Sequence, residues 1–368
     1  MSKARELAEL GAVYDSGALS NRNIIINGAM QVAQRGTSST GLGATTGYYT
    51  ADRWKHDFSN TSGRLTSSVV GITDLAGFRS ALKFACTTAD TSIAANELFV
   101  LNQPIEGFNI QSVGFGTASA KPLTLSFYAK GNGNAQYTAQ LQTGGSNEIS
   151  ASFNVTSSWQ RFEINFPAAT SVGSVLNNNN TTQLFLQFWL VAGSTYSGGT
   201  SLNTTWGSPN NNTMAVGTDN FFSSTSNEFF LTGVQLEVGD TATDFEHRTF
   251  ADELQRCQRY FCRTYTYGTA TGTATANGCV SGPVFAAIAY SSPGNFRYPV
   301  EMRAVPTVQV YSVVNANTTG KVSSDGADGN AGTAFNGTTS TFLYRNNDST
   351  GVVANAFLKV HATADAEL

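Results

Sequence analysis

The feature that most constrains the fold of this chain is a two-residue alternation of apolar and polar side chains. The segment LTLSFYAKG places Leu123, Leu125 and Phe127 on one face and Thr124 and Tyr128 on the other. Successive side chains of a strand point to opposite faces, so the pattern indicates a half-buried β-strand. Similar segments recur between turn signals such as GNGN, TGGSN and SPNNN. Many short strands without intervening helices predict an all-β, jelly-roll-like antiparallel sandwich.

The domain organisation follows from where these segments lie in the 368 residues. A chain of this length can bury a core in each of two domains. The strand-like segments GPVFAAIAY, STFLYRN and VVANAFLKVHATADAEL follow a helix-like stretch, and they predict a second, smaller β-sandwich. We therefore expect four parts: an N-terminal segment, a jelly-roll-like domain, a connecting helix and a C-terminal β domain, at residues 1–20, 21–245, 246–264 and 265–368.

Composition excludes several classes of protein. The net charge is −4 and no block of Lys or Arg is present, which argues against a nucleic-acid partner. No apolar run approaches the roughly 20 residues of a membrane span, and the charged start is unlike a secretory signal. The four cysteines lack the spacing of a zinc site, so we expect free, buried thiols in a protein assembled in a reducing cytosol, with no cofactor or metal.

One charged stretch, from Ala242 to Tyr265, interrupts the strand pattern. The sequence Thr249-x-x-Asp252 has the form of a capping box and predicts a helix beginning at Phe250. Its apolar positions follow a 3.5-residue period, typical of helices that pack on identical neighbours. This predicted seam consists of Phe250, Leu254, Cys257 and Phe261. Two interpretations remain open: an amphipathic helix on its own β domain, or a neck between copies of the chain.

An ordered set of motifs gives the chain a resemblance to a known family. The set includes NRNIIINGAMQVAQRGT, YYTADRW, LNQPIEG, SSWQRFEINF, LTGVQLEVGDTATDFEHRTFADELQRCQRYF and YPVEMRAVPTV. It resembles the tail fibres and related virion proteins of tailed phages, particularly phages of marine and photosynthetic bacteria. The resemblance implies a homotrimeric virion structural protein that attaches to the host surface. It also implies that the N-terminal segment, through Leu7 and Leu10, binds other tail or virion proteins, and that the virion is assembled in the host cytoplasm.

The resemblance suggests structural roles for the charged motifs. In YYTADRW, Asp52 and Arg53 would pair while Trp54 packs inside. Glu237 and Arg248 would tie the last strand of the first domain to the helix entry. A calcium site at Glu237, Asp240 or Asp244 is the alternative, but no dense carboxylate cluster supports it. We expect no metal.

Catalytic motifs are missing from the sequence, which lacks HExxH, GxSxG and P-loop patterns. His247, between Glu246 and Arg248, could be imagined as a general acid, but a solvated or salt-bridged histidine is the simpler interpretation. No 20–30-residue repeat suggests the long groove of a polysaccharide-degrading tailspike. We therefore predict that the protein is not an enzyme.

Binding of carbohydrate is the predicted function. Each contact is weak, and many copies of the chain in one virion bind firmly by avidity. Aromatic rings beside amides and hydroxyls suit sugar recognition. Such residues occur in the loop after residue 195 and near residue 290, and the candidate ligand-binding set is Tyr196, Trp206, Asn210, Asn211, Asn212, Tyr290, Phe296 and Tyr298. The alternatives are a non-adhesive virion component, such as a head-decorating fibre or tail adaptor, and a polysaccharide-degrading tailspike.

Overall fold

The computed structural model describes Lys3 and residues 21–368, apart from 133, 145–146, 171–174, 293, 325–326 and 348–351. The predicted N-terminal segment, with Leu7 and Leu10, lies outside the described residues. The described chain forms two compact units. The first contains the residues up to Gln31 and Ser38–Thr249, and the second contains Val32–Thr37 and Phe250–Leu368. The short segment Val32–Thr37 therefore belongs to the second unit although it precedes most of the first in sequence.

Two six-stranded antiparallel sheets form the first unit. The first sheet has the strand order β1-β4-β5-β12-β7-β10, with bounds Ser38–Leu42, Arg64–Gly71, Ser80–Thr88, Glu228–Val238, Leu123–Gly131 and Gln160–Phe166. The second has the order β2-β3-β6-β11-β8-β9, with bounds Gly47–Tyr48, Lys55–Ser59, Leu98–Glu106, Thr182–Ala192, Ala135–Thr143 and Glu148–Val155. The all-β, antiparallel fold class predicted from the alternation is confirmed.

Aromatic side chains from the two sheets meet in a shared core. Phe127 of the first sheet lies 5.0 Å, centroid to centroid, from Phe188 of the second, and their rings meet edge to face. Phe84 and Phe99 make a similar contact at 5.2 Å. Edge-to-face pairs of this kind contribute about 0.5–1.5 kcal/mol beyond the burial of their area. Because the core side of each strand is apolar, the polar half of each alternating segment lies on an outer face.

Helices are few and short in the described chain. The helix α1 is Ser194–Ser197, in the loop after β11, and α2 is Phe250–Gln258, in the second unit. Single 3₁₀ turns occupy Gly107–Asn109, Gln111–Val113, Asn211–Thr213 and Phe221–Ser223. No helix of the described residues is long and apolar enough to cross a membrane.

The second unit is also built of antiparallel strands, joined in a single ladder around the last strand, β20 (Ala356–Asp365). One half of β20 pairs with β13 and β16, and the other half pairs with β14 and β17. The ladder continues from β17 through β18 and β19 to β15. The strands β13 to β19 are Phe261–Arg263, Val280–Val284, Gly294–Arg297, Thr307–Tyr311, Lys321–Ser324, Ala327–Phe335 and Thr341–Asn346.

The crossing segment Val32–Thr37 is anchored to the second unit by specific contacts. The Arg35 guanidinium pairs with Asp365 at 2.9 Å and with Glu367 at 3.3 Å. It also lies 3.7 Å from the ring centroid of Phe261. Gln34 Nε2 donates to the Phe261 carbonyl at 2.7 Å. These contacts make the segment an integral part of the second unit.

Candidate functional site

The candidate site lies on the outer face of the second sheet of the first unit. In β11 the core-facing residues Leu186 and Phe188 alternate with Phe185, Gln187 and Trp189 on the outer face. The other strands of this sheet follow the same alternation, so their polar positions also lie outward. An outer sheet face with many amide side chains can form hydrogen bonds with a hydroxyl-rich ligand.

The strand register aligns one residue from each of the six strands into a row across the sheet. Tyr48 lies opposite Lys55, Lys55 opposite Asn102, and Asn102 opposite Gln187. Gln187 in turn lies opposite Gln140, which lies opposite Ser150. We call this set the amide row: Tyr48, Lys55, Asn102, Gln187, Gln140 and Ser150. Because neighbouring strands lie about 4.8 Å apart, the row presents polar groups at regular intervals.

Hydrogen bonds hold the amide row at one end. Asn102 Nδ2 donates to Asp57 Oδ2 at 2.9 Å, and Lys55 Nζ lies 3.5 Å from Asp57 Oδ1. The carboxylate therefore orients both neighbours. The side-chain oxygen of Asn102, Oδ1, takes no part in these bonds.

A second set of bonds holds the other end of the row. Trp189 Nε1 donates to Gln140 Oε1 at 2.9 Å, and Gln140 Nε2 donates to Glu148 Oε2 at 3.3 Å. Glu148 is fully buried, and burial raises the pKa of its carboxyl, opposed by hydrogen bonds from Asn210 and Asn203. The chain of bonds fixes the rotamer of Gln140.

Three polar atoms of the amide row are buried without a hydrogen-bond partner among the residues that the structure describes. They are Asn102 Oδ1, Gln187 Oε1 and Ser150 Oγ. Leaving a buried acceptor unpaired costs about 1–3 kcal/mol, so these atoms favour a donor such as a ligand hydroxyl. Gln187, the central member, is also half-exposed and can be reached from outside. The row is thus polar, ordered and incompletely satisfied.

Apolar rings border the open part of this face. Phe185, half-buried, lies between Pro104 and Gln142 in the neighbouring strands. Tyr48 is half-buried at the edge strand. A sugar presents hydroxyls and C–H groups. The amides can form hydrogen bonds with the hydroxyls, and the rings can pack against the C–H groups.

The predicted ligand loop packs on the same sheet face. Ser150 N donates to the Asn203 carbonyl at 2.7 Å, and Glu148 forms a β-bridge with Gly207. Tyr196 lies in α1 and packs against Trp189 with 5.3 Å between ring centroids. The loop therefore covers the β9 end of the amide row and borders the open end.

The other predicted residues of this loop have mainly structural contacts. Trp206 donates to the Pro167 carbonyl at 2.7 Å and packs on Phe115 at 5.0 Å. The Asn210 side chain accepts from Asn212 N and so caps the 3₁₀ turn. Asn211 and Asn212 are exposed. Whether any of the four contacts a ligand stays a prediction.

The predicted residues of the second unit divide into core and surface. Phe296 and Tyr298 pack against Phe342, with ring centroids 5.5 Å and 5.9 Å away, and Tyr298 is buried. Tyr290 is 63% exposed, and its backbone has a left-handed φ of 61°. Phe296 is half-buried, and whether any of the three contacts a ligand stays a prediction.

The predicted helix begins at Phe250, as the capping box indicates, but the seam is different from the one expected. Phe261 is not on the helix, because α2 ends at Gln258 and Phe261 begins β13. Phe250 is 42% exposed and Leu254 is half-buried, whereas Cys257 is fully buried. The predicted seam therefore contains residues of two different elements, a helix and a strand.

The predicted tie between Glu237 and Arg248 is also wrong. Arg248 instead pairs with Glu246 at 3.2 Å and donates to the Ile25 carbonyl at 3.0 Å. Glu237 accepts from the backbone N–H of Thr243 at 2.9 Å. Glu237 and Glu246 both lie close to Arg248 in sequence. The sequence alone does not show which of them pairs with Arg248, because this depends on the position of β12.

The YYTADRW motif lies inside the first unit. Asp52, Arg53 and Trp54 are all buried, and Arg53 Nη2 donates to the Pro104 carbonyl at 2.6 Å. Trp54 packs inside, as predicted, and its Nε1 donates to the Asn27 carbonyl at 3.1 Å. The motif thus connects the start of β3 to β6.

The remaining candidate groups have structural surroundings. His247 lies between the rings of Phe78 and Phe245, at 5.2 Å and 4.9 Å. Within the described residues no group of three or more His, Cys, Asp or Glu side chains could hold a metal ion. Cys86 and Cys262 are buried thiols, as predicted, and burial raises the pKa of Cys262 to about 12.

Sequence reasoning did not identify the amide row, although a signal was present. Asn102, Gln187 and Gln140 each occupy the polar phase of an alternating segment: LFVLNQPIE, TQLFLQFWLVA and AQYTAQLQT. An uncharged amide repeated at outward strand positions is a candidate binding feature. The order of the strands, which brings the three amides together, cannot be read from the segments alone.

Comparisons with known proteins show similarity in structure alone. No family model matches the chain, and no curated protein matches it. The structural neighbours include carbohydrate-binding modules and a phage tailspike domain.

One neighbour is TmCBM61 in complex with β-1,4-galactotriose, at 12% identity and a TM-score of 0.31, covering 59% of this chain and 99% of that one. Another is the Clostridium thermocellum family 11 carbohydrate-binding module in complex with a β-1,3-1,4-mixed-linked tetrasaccharide, at 13% identity and 0.27, covering 57% and 98%. A third is the enzymatically active domain of bacteriophage CBA120 tailspike protein 4, at 9% identity and 0.30, covering 59% and 21%. Because such TM-scores do not establish a shared function, the proposal below depends on the residues of the sheet face.

Proposed function

We propose that this protein binds carbohydrate through the amide row, as a fibre component of a phage virion that attaches to host surface polysaccharide. The observation that supports binding is the incompletely satisfied row of amides on the outer sheet face, where Asn102, Gln140 and Ser150 are buried and Gln187 is half-exposed. Asn102 and Gln187 offer carbonyl oxygens without protein partners, and Phe185 and Tyr48 add apolar ring surface beside them. The virion role is supported by the resemblance of the sequence motifs to tail fibres.

The amide row is tested by removing its central member. We expect Gln187→Ala to weaken binding to neutral polysaccharide roughly fivefold, because a neutral hydrogen bond contributes about 1 kcal/mol net. Affinity electrophoresis in gels containing purified glucans, xylans, galactans or extracted host polysaccharide would measure it.

Gln111→Ala is the matched control, since Gln111 is an exposed amide in the same unit but outside this sheet face. Equal retardation of the two variants in every gel that retards the unaltered protein would contradict the proposed site. So would a lack of retardation of the unaltered protein in all of these gels.

We further propose that the protein binds polysaccharide without cleaving it. Incubation with each retained polysaccharide should release no reducing ends. Release that persists in Gln187→Ala would instead favour the polysaccharide-degrading alternative at another site.

Attachment in the proposed function depends on several copies acting together. A homotrimer repeated on a virion raises the effective concentration of a weak site, so that weak contacts become firm attachment. Other virion proteins would hold the N-terminal segment. The virion tail is therefore the proposed location.

A further inference from the structure

A second cluster of side chains, in the other unit, has a different chemistry. Arg345 lies in β19, and its guanidinium carbon is 4.9 Å from the Tyr290 ring centroid and 4.7 Å from the Phe335 ring centroid. Phe335 comes from the neighbouring strand β18, and Tyr290 from the segment ahead of β15. The two rings restrict the guanidinium and leave less conformational freedom to lose when it binds a ligand.

Arg345 has these aromatic contacts but no anionic partner in the described part of the chain. Within the described residues it forms no ion pair, and its Nε atom is buried without a hydrogen-bond partner. Two other arginines of this unit do have polar partners: Arg35 pairs with Asp365, and Arg303 donates to the Ala366 carbonyl. A guanidinium held between rings with its donors unused is suited to bidentate binding of an anion.

A second arginine lies on the same face of this sheet. Arg297 lies opposite Thr341, and the alternation of β19 places Thr341, Leu343 and Arg345 on one side of the strand. Arg297 is exposed, and no ion pair or hydrogen bond of its side chain occurs within the described residues. Two such cations on one face favour a ligand that repeats its negative charge.

The backbone at Tyr290 supports the same conclusion. Its left-handed φ of 61° is uncommon for a residue with a large side chain. The Tyr290 N–H donates to the Asn346 carbonyl at 3.1 Å, so the strand that carries Arg345 also holds the Tyr290 backbone. Conformations of this kind are frequent where a fold positions a functional side chain.

We propose that Arg345, between Tyr290 and Phe335 and with Arg297 on the same sheet face, binds the anionic groups of an acidic polysaccharide. The recognised chemistry is a carboxylate or a sulfate ester, each able to accept two N–H donors from one guanidinium. The site is separate from the amide row, takes a different class of ligand and does not depend on it.

The experiment compares affinity electrophoresis in gels containing alginate, dextran sulfate or neutral dextran. We expect retardation by at least one of the two anionic polymers, and an affinity about tenfold lower for Arg345→Gln, since hydrogen bonds to charged groups are stronger than neutral ones. Arg79→Gln removes the same charge from an exposed position of the first unit and should change affinity little. Retention by alginate alone identifies a carboxylate, and retention by dextran sulfate alone identifies a sulfate.

The proposal is overturned if neither anionic polymer retards the protein, or if Arg345→Gln and Arg79→Gln reduce affinity equally. Tyr290→Leu provides a second test if Arg345→Gln does not fold, because Tyr290 is exposed. It should weaken binding in the same gels, and unchanged binding by a folded Tyr290→Leu would also overturn the proposal. Gln187→Ala should leave binding to the anionic polymers unchanged, which distinguishes this site from the amide row.

Discussion

Buried polar residues in this protein differ in what satisfies them. Gln140 is fixed by Trp189 and Glu148, whereas Gln187, one strand away, has a buried oxygen without a protein partner. His56 is fully buried among aromatic rings and has Ser67 Oγ within 3.0 Å of its Nε2. Polar groups in apolar surroundings must be paired or uncharged to be tolerated. The unpaired oxygen of Gln187 belongs to the proposed binding site, and the buried His56 is expected to make the stability depend on pH.

We predict that His56 makes the first unit less stable in mild acid. Burial lowers the pKa of His56 from 6.5 to about 3 in the folded protein. The stabilisation is therefore fully present above pH 6.5 and is lost as the pH falls towards 3, by about 1.4 kcal/mol per pH unit. Urea unfolding of the protein and of His56→Gln at several pH values would measure it. The difference in unfolding free energy should shrink below pH 6.5, and a constant difference would refute a neutral, buried histidine.

Short elements position the important groups of both units. The strand β11 has partners on both sides, so that its central glutamine lies between the amides of β6 and β8. In the second unit, β20 pairs with four strands and carries Asp365 at its end. Asp365 and Glu367 then hold the segment Val32–Thr37 through Arg35. A six-residue connection is thereby part of the second unit and contributes to its stability.

We predict that Arg35→Ala lowers the free energy of unfolding of the second unit by about 1–3 kcal/mol, the usual contribution of a hydrogen-bonded charge. The substitution removes the cation from Glu367, whose side chain is only 5% exposed. Arg161→Ala is the control, because its partner Glu163 is 49% exposed and such surface pairs contribute about 0–1 kcal/mol. Thermal unfolding would compare them, and equal effects would show that the segment is not an anchor.

At the scale of the whole molecule, the chain carries two candidate sites of different chemistry, one in each unit. The amide row suits uncharged hydroxyls, and the Arg345 cluster suits anions. Copies joined in one particle would multiply both, since avidity depends on the number of linked sites more than on the strength of each. The proposed attachment therefore depends on the proposed trimer.

We predict that the protein is a homotrimer in solution. Sedimentation equilibrium should give three times the 38.9 kDa mass of one chain. Trimer formation would also cover strand edges that otherwise invite non-specific pairing. A mass of one chain at micromolar concentration would contradict the trimer and would leave attachment to rely on single sites.

The sequence by itself determined the period of the strands and the side of each that faces the core. Leu123, Leu125 and Phe127 are buried as the alternation predicts, and the helix begins at Phe250. These features are local, because a strand repeats every two residues whatever its neighbours are. The fold class followed for the same reason.

Only the tertiary structure decided which strands are neighbours and in what register. The amide row exists because β11 lies between β6 and β8, and the Arg345 cluster exists because β18 and the Tyr290 segment approach β19. A shift of one residue in register would turn every side chain of a strand to the opposite face. That register depends on packing between segments far apart in sequence, so no single segment encodes either site.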